Sequence, residues 1–198
     1  MEKFIFPFTV AVLMTASAAA QTIESAYTDF DAKKCRHTPG KAEEDYGEWR
    51  CAGYDGIPIR MWAGDQRITI SYGPRAMREL AARQTLSAFN GEGSKIEWRI
   101  ETDQSGHRKP FATIMRWSTA TLDDKQDQIK GQVLVVTRLG SAGVCHVGYV
   151  DGRANPNANE LAREIADKHA RDFVCRKDKA IVIGEKGSGF SSATEWEE

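Results

Sequence analysis

No two cysteines in this chain stand in a Cys-x-x-Cys spacing, and Cys145-His146 is a lone adjacent pair without the spacing of a metal ligand set, so a zinc site is not expected. No Gly-x-Ser-x-Gly follows a strand-like run. Gly140-Ser141-Ala142-Gly143 and Gly187-Ser188-Gly189 read as turn and tail sequence rather than as a nucleophile elbow. Gly91-Glu92-Gly93-Ser94 lacks the lysine and the strand-to-helix setting of a phosphate loop. An excess of basic charge is missing too: 27 Lys and Arg against 28 Asp and Glu leave a net charge of -1, which offers nothing to nucleic acid or to an acidic membrane. Beyond residue 20 no apolar run has the length of a membrane span. No cofactor, metal or catalytic residue is assigned by any motif.

What is present points to export. Lys3 precedes an apolar run from Phe4 to Met14, and Ser17-Ala18-Ala19-Ala20 supplies small residues before Gln21, the pattern of a secretory signal peptide over residues 1–20. No cysteine directly follows that site, so a lipid anchor is not indicated. The four cysteines fit an oxidising compartment, periplasmic or secreted. Four cysteines allow three pairings, and Cys35–Cys51 with Cys145–Cys175 is preferred because each pair is close in sequence. A strand from Cys145 rises about 20 Å and a helix ending near Phe173 returns about 22 Å, which brings Cys175 back towards Cys145.

Residues 21–186 read as one α+β domain, followed by a flexible acidic tail at 187–198. Residues 21–34 are an extended or loosely helical lead-in, and residues 36–47 a polar loop within the first disulfide. Strands are expected at 47–53, 57–63, 66–72, 95–101, 108–117, 131–139 and 144–150, with Gly64-Asp65 joining the second to the third. Thr121 to Lys130 reads as a mobile loop, and Ala180 to Gly184 as an edge strand. Two helices are expected. The first opens at Gly73-Pro74 and runs to Gln84, with Met77, Leu80 and Ala81 turned inward. The second follows Asn157, paired with Glu160 as in a capping box, and carries Leu161, Ile165, His169 and Phe173 on one face. Its remaining surface, with Glu164–Lys168, Arg163–Asp167 and Asp167–Arg171 spacings, reads as solvated. Each half ends in a tyrosine-bearing strand (Tyr72, Tyr149) before a helix, which suggests a βββα duplication on an antiparallel, twisted sheet.

Ile70-Ser71-Tyr72-Gly73, Glu97-Trp98-Arg99, the run from Gly131 to Thr137, and the stretch from Cys145 through Asn155-Pro156-Asn157-Ala158-Asn159-Glu160-Leu161-Ala162-Arg163 to Cys175 resemble a group of uncharacterised exported proteins of Gram-negative bacteria. The resemblance covers most of the mature chain. It implies a periplasmic setting and carries no activity, so it transfers no catalytic residue.

Two sets of residues remain as candidates. Trp62 shares a strand face with Arg60, opposite Ile57, Ile59 and Met61, and this aromatic-and-arginine pairing is typical of binding surfaces. His146, on the face opposite Cys145 and Tyr149, and His169 would serve a small hydrolase only if either met a carboxylate such as Asp151 in a cleft. The sequence therefore leads to a binding module of the cell envelope, with another envelope protein or a glycan as partner, and leaves the oligomeric state open. A His/carboxylate hydrolase is the alternative.

Overall fold

The computed structural model of the protein describes residues 22–41, 43, 45–122 and 125–195. The expected signal segment and Trp196 lie outside the described residues. The strands are β1 (Thr22–Asp29), β2 (Arg36–Thr38), β3 (Asp45–Ala52), β4 (Pro58–Gly64), β5 (Arg67–Tyr72), β6 (Gln84–Leu86), β7 (Phe89–Gly91), β8 (Lys95–Thr102), β9 (Arg108–Leu122), β10 (Gln128–Arg138) and β11 (Cys145–Asp151). The helix α1 (Ala158–His169) follows, then β12 (Ile181–Val182) and β13 (Ala193–Glu195).

A large sheet runs in the order β1-β8-β9-β10-β11-β12, with β7 paired to the far part of β9. Among the described residues its β11–β12 pairing is the parallel one and the others are antiparallel. A smaller sheet, β2-β3-β4-β5, lies on one face and α1 on the other, and β6 pairs with β13. Alternation in β8 explains this stack. Ile96, Trp98 and Ile100 meet Ile59, Met61, Ile68, Ile70 and Tyr72 of the small sheet in one core. Ile114, Leu134, Val136, Val147 and Val150 meet α1 in a second core. The helix offers mostly alanine to that contact (Ala158, Ala162, Ala166, with Ala170 just beyond), around Ile165. Small side chains let its axis come close. A Cβ at Gly148 would stand 2.5 Å from the Ile181 carbonyl and 3.0 Å from Ile165, so this crossing requires glycine.

The class is α+β with antiparallel sheets and both disulfides, Cys35–Cys51 and Cys145–Cys175, with Cα separations of 4.8 and 5.9 Å. The first expected helix, from Gly73 to Gln84, does not form, and with it the βββα duplication loses its support. Ala76–Arg78 and Leu80–Ala82 are separate 3-10 turns, broken at Glu79, which is extended at φ -81° and ψ 153°. Tertiary bonding overrides helical propensity here. The Glu79 carboxylate accepts the Val144 N–H at 2.9 Å, and the Ala81 N–H bonds the Val144 carbonyl at 3.0 Å. The segment is thus tied to the entry of β11, and Met77, expected inside, is 59% exposed.

Other differences have similarly local causes. The lead-in is the edge strand β1, paired with β8 along its length. Much of the expected loop at Thr121–Lys130 belongs to the long β9–β10 hairpin. The β4–β5 turn sits one residue later than expected, at Asp65 and Gln66, both at positive φ (44° and 57°), the pattern of a type I′ hairpin. From Gly187 to Glu195 the chain, expected as part of a flexible tail, is strapped to the body. Asp151 accepts the Gly187 N–H, Thr119 donates to the Gly189 carbonyl, and β13 pairs with β6. Gly131 makes room for that strap, since a Cβ there would sit 2.0 Å from the Gly189 oxygen. Among the described residues no helix is long and apolar enough to cross a membrane.

Candidate functional site

Trp62 and Arg60 do share the outward face of the small sheet. The cross-strand register places Arg36, Arg50, Arg60 and Ser71 in one row, and Thr38, Glu48, Trp62 and Thr69 in the next. Arginines side by side repel, and Glu48 relieves this by accepting from both Arg50 and Arg60, the latter at 2.9 Å. Burial opposes ionisation of Glu48, but these two guanidinium bonds outweigh it and hold its carboxyl below the usual range. The Trp62 indole N–H donates to Asp45 at 2.9 Å. Both Trp62 and Arg60 are half-buried. They knit the sheet face together as well as presenting it.

The two histidines do not assemble a catalytic pair. His146 is 1% exposed and lies against the edge of Trp117, with its Nδ1 2.9 Å from the Tyr149 hydroxyl. It shares a face with Tyr149, contrary to strict alternation, because the register shifts between Val136 and Thr137 and β11 carries an extra residue at Val147. Burial pushes its pKa down to about 3, so the ring is neutral. His169 is exposed, because i+4 steps advance about 40° beyond a full turn and residues 161 to 173 cannot stay on one stripe. Neither ring bonds a carboxylate among the described residues. Asp151 is instead a structural anchor, accepting the N–H groups of Arg153, Ala154 and Gly187 at 2.8, 3.0 and 2.8 Å.

The helix surface expected to be solvated is partly an ionic contact with the sheet. Arg99 grips Asp167 through two bonds of 2.8 and 2.6 Å, and Arg163 grips Glu97 at 2.7 and 3.2 Å. Of the expected i,i+4 pairs on α1, Glu164–Lys168 forms, at 2.7 Å. Asn157 makes no side-chain cap.

A spacious site lies where β4 turns into β5 and the end of β9 lies beside the start of β10. A groove of about 590 Å³ opens there between the turn at Gln66 and the strand ends at Ser118–Ala120 and Gln128–Gln132. This volume falls within the roughly 300–1,000 Å³ range of small-molecule sites. Two aromatic rings stand in its lining with much of their surface in solvent, Tyr46 at 51% and Phe89 at 37% exposed. Tyr46 is presented by a bulge in β3, where the register against β4 shifts between Asp45 and Gly47. Asp45 holds that bulge by taking the Gly47 N–H as well as the Trp62 indole. Phe89 is backed by Arg67, whose guanidinium lies 5.2 Å from the ring centre. Asn90 fixes the strand beneath: its side chain reaches Thr85, Leu86, Ala88 and the Ile68 N–H.

Gln66, Gln128, Lys130 and Arg153 are exposed around the same groove, and Glu92 is the acid in its lining. The result is a polar trough with amide donors and acceptors, two flat rings and a modest cationic bias. The sequence reading passed over both rings. Tyr46 fell in a polar loop and Phe89 just before a Gly-rich connector. Each stands one or two residues before a glycine in an otherwise polar stretch, a signal of an aromatic held out on a loop. Among the described residues no group of three His, Cys, Asp or Glu side chains is gathered as for a metal ion. Comparison with known protein families, with curated proteins and with solved structures finds no match to this chain.

Proposed function

We propose that this protein is a non-catalytic binding module of the bacterial periplasm that holds an oligosaccharide in the groove between the β4–β5 and β9–β10 turns. The observation that carries the reading is the pair of solvent-facing rings, Tyr46 and Phe89, in a groove bordered by amide side chains. A sugar ring has an apolar C–H face and a polar rim of hydroxyls. An aromatic ring packs on the first, and amides, which both donate and accept, satisfy the second. Two disulfides fit the oxidising compartment in which wall glycans lie.

The test is calorimetric titration of the protein with a tetrasaccharide of N-acetylglucosamine. Saturable binding is expected, with Tyr46→Ala and Phe89→Ala each weakening it by roughly tenfold while thermal unfolding stays cooperative. Unchanged affinity in both variants, or no binding of the oligosaccharide, contradicts the reading.

A further inference from the structure

The opposite ends of the same strands carry a second pair of hollows. On the outer side of the small sheet, Arg50, Arg60, Arg75 and Arg78 line one pocket of about 440 Å³, together with the exposed Met77. Two carboxylates answer these four guanidinium groups. Glu48 takes Arg50 and Arg60, and Glu79 lies 3.5 Å from Arg75. Arg78 is exposed and makes no ion pair among the described residues. The pocket is therefore left with an excess of positive charge. Guanidinium groups so gathered suit a phosphate, which they bind in paired bonds.

Against it lies a hollow of different character, about 500 Å³, lined by Ile57, Pro74, Pro110, Leu139 and Val144. The two share the turn Gly73-Pro74-Arg75 as a common wall. Lys109 adds a further cation to the lining of the apolar hollow, and the Glu79 carboxylate there is the one already set against Arg75. A cationic pocket adjoining an apolar one across a three-residue turn complements a molecule with a charged head and an alkyl body.

We propose that these adjoining pockets form one binding site for a single-chain anionic amphiphile, with a phosphate head held by Arg50, Arg75 and Arg78 and its alkyl chain laid against Pro74, Pro110 and Leu139. This site is separate from the oligosaccharide groove and does not depend on it.

The experiment titrates the protein with n-alkyl phosphates from butyl to decyl, each kept monomeric, alongside inorganic phosphate and decanol. Affinity should climb by about fourfold per added methylene until the hollow is full and then level off. Inorganic phosphate and decanol should each bind far more weakly than decyl phosphate. Arg78→Ala should weaken every alkyl phosphate by roughly tenfold. Ser141→Trp, a change at an exposed position on the rim of the apolar hollow, should flatten the dependence on chain length and leave butyl phosphate unaffected. Affinity that ignores chain length, chain-length dependence that survives Ser141→Trp, or no binding of any alkyl phosphate overturns the proposal. Both variants should keep the cooperative thermal unfolding of the wild type, which separates a lost site from a lost fold.

Discussion

One end of the strands is polar and presents two rings from the first residues of β3 and β7. The other is half arginine and half hydrocarbon, and it is pinned from behind by the Cys145–Cys175 bridge. The faces between them have little to offer a ligand: the large sheet is covered by α1 on one side and by the small sheet on the other, so β8 is buried without interruption from Ile96 to Ile100. Strand ends and part of the outer face of the small sheet remain open. The contrast teaches that in this stack the core fixes position and the turns choose chemistry. It also explains why the strongest sequence signals, which mark strand interiors, say least about function.

The largest expected effect comes from cutting the staple at the arginine end. Replacing Cys145 and Cys175 together by serine opens a loop of 30 residues and should cost about 3.6 kcal/mol in the chain-entropy account, measured by denaturant unfolding. Amide exchange should quicken first around Val144 and Glu79, whose bond lies beside the bridge, and leave the groove around Asn90 protected. Equal acceleration at both ends would show that they are not separate.

An effect of comparable size, spread across pH, concerns the buried His146. Its folded pKa, near 3, lies below the ordinary value of 6.5, so the unfolded chain takes up the proton that the folded one refuses. Its contribution to stability is whole above about pH 6.5 and is lost as pH falls from there towards about 3, by up to about 1.4 kcal/mol per pH unit. His146→Leu should flatten the wild-type slope across that window. Parallel slopes for the two proteins would contradict the burial of a neutral ring.

The smallest expected effect is at Trp62. Trp62→Phe removes the indole bond to Asp45, worth about 1 kcal/mol, and loosens the bulge that presents Tyr46. Oligosaccharide affinity should fall two- to threefold by the same reasoning, and decyl phosphate affinity should not change. If instead Trp62→Phe weakens decyl phosphate, the outer sheet face belongs to the arginine end.

Much of this fold was legible where alternation or a continuous apolar run marks a strand. Lys95–Glu101, Gly131–Leu139 and the cysteine pairs follow from local pattern and reach. What escaped was set by long-range bonding. The Gly73–Gln84 segment has good helix formers, but Val144 captures its backbone and the Glu79 carboxylate. His146 changed faces because one extra residue in β11 reverses the parity of everything after it, and no local signal announces a bulge. The Arg99–Asp167 and Arg163–Glu97 pairs join residues far apart in the chain, so charge spacing along α1 read as a solvated surface. Arg60 and Trp62, expected to share a strand face, are half-buried there, and neither lines the groove. Tyr46 and Phe89 were not foreseen, because the groove exists only once β3, β5, β7 and β10 are assembled.

The central claim is that the two ends bind different ligands independently. It is tested most directly by crossing variants with ligands in one set of titrations: Tyr46→Ala and Ser141→Trp, each against the tetrasaccharide and decyl phosphate. The account predicts that Tyr46→Ala weakens only the sugar and Ser141→Trp only the alkyl phosphate. Loss of both ligands in either variant, or of neither ligand in both, would contradict it.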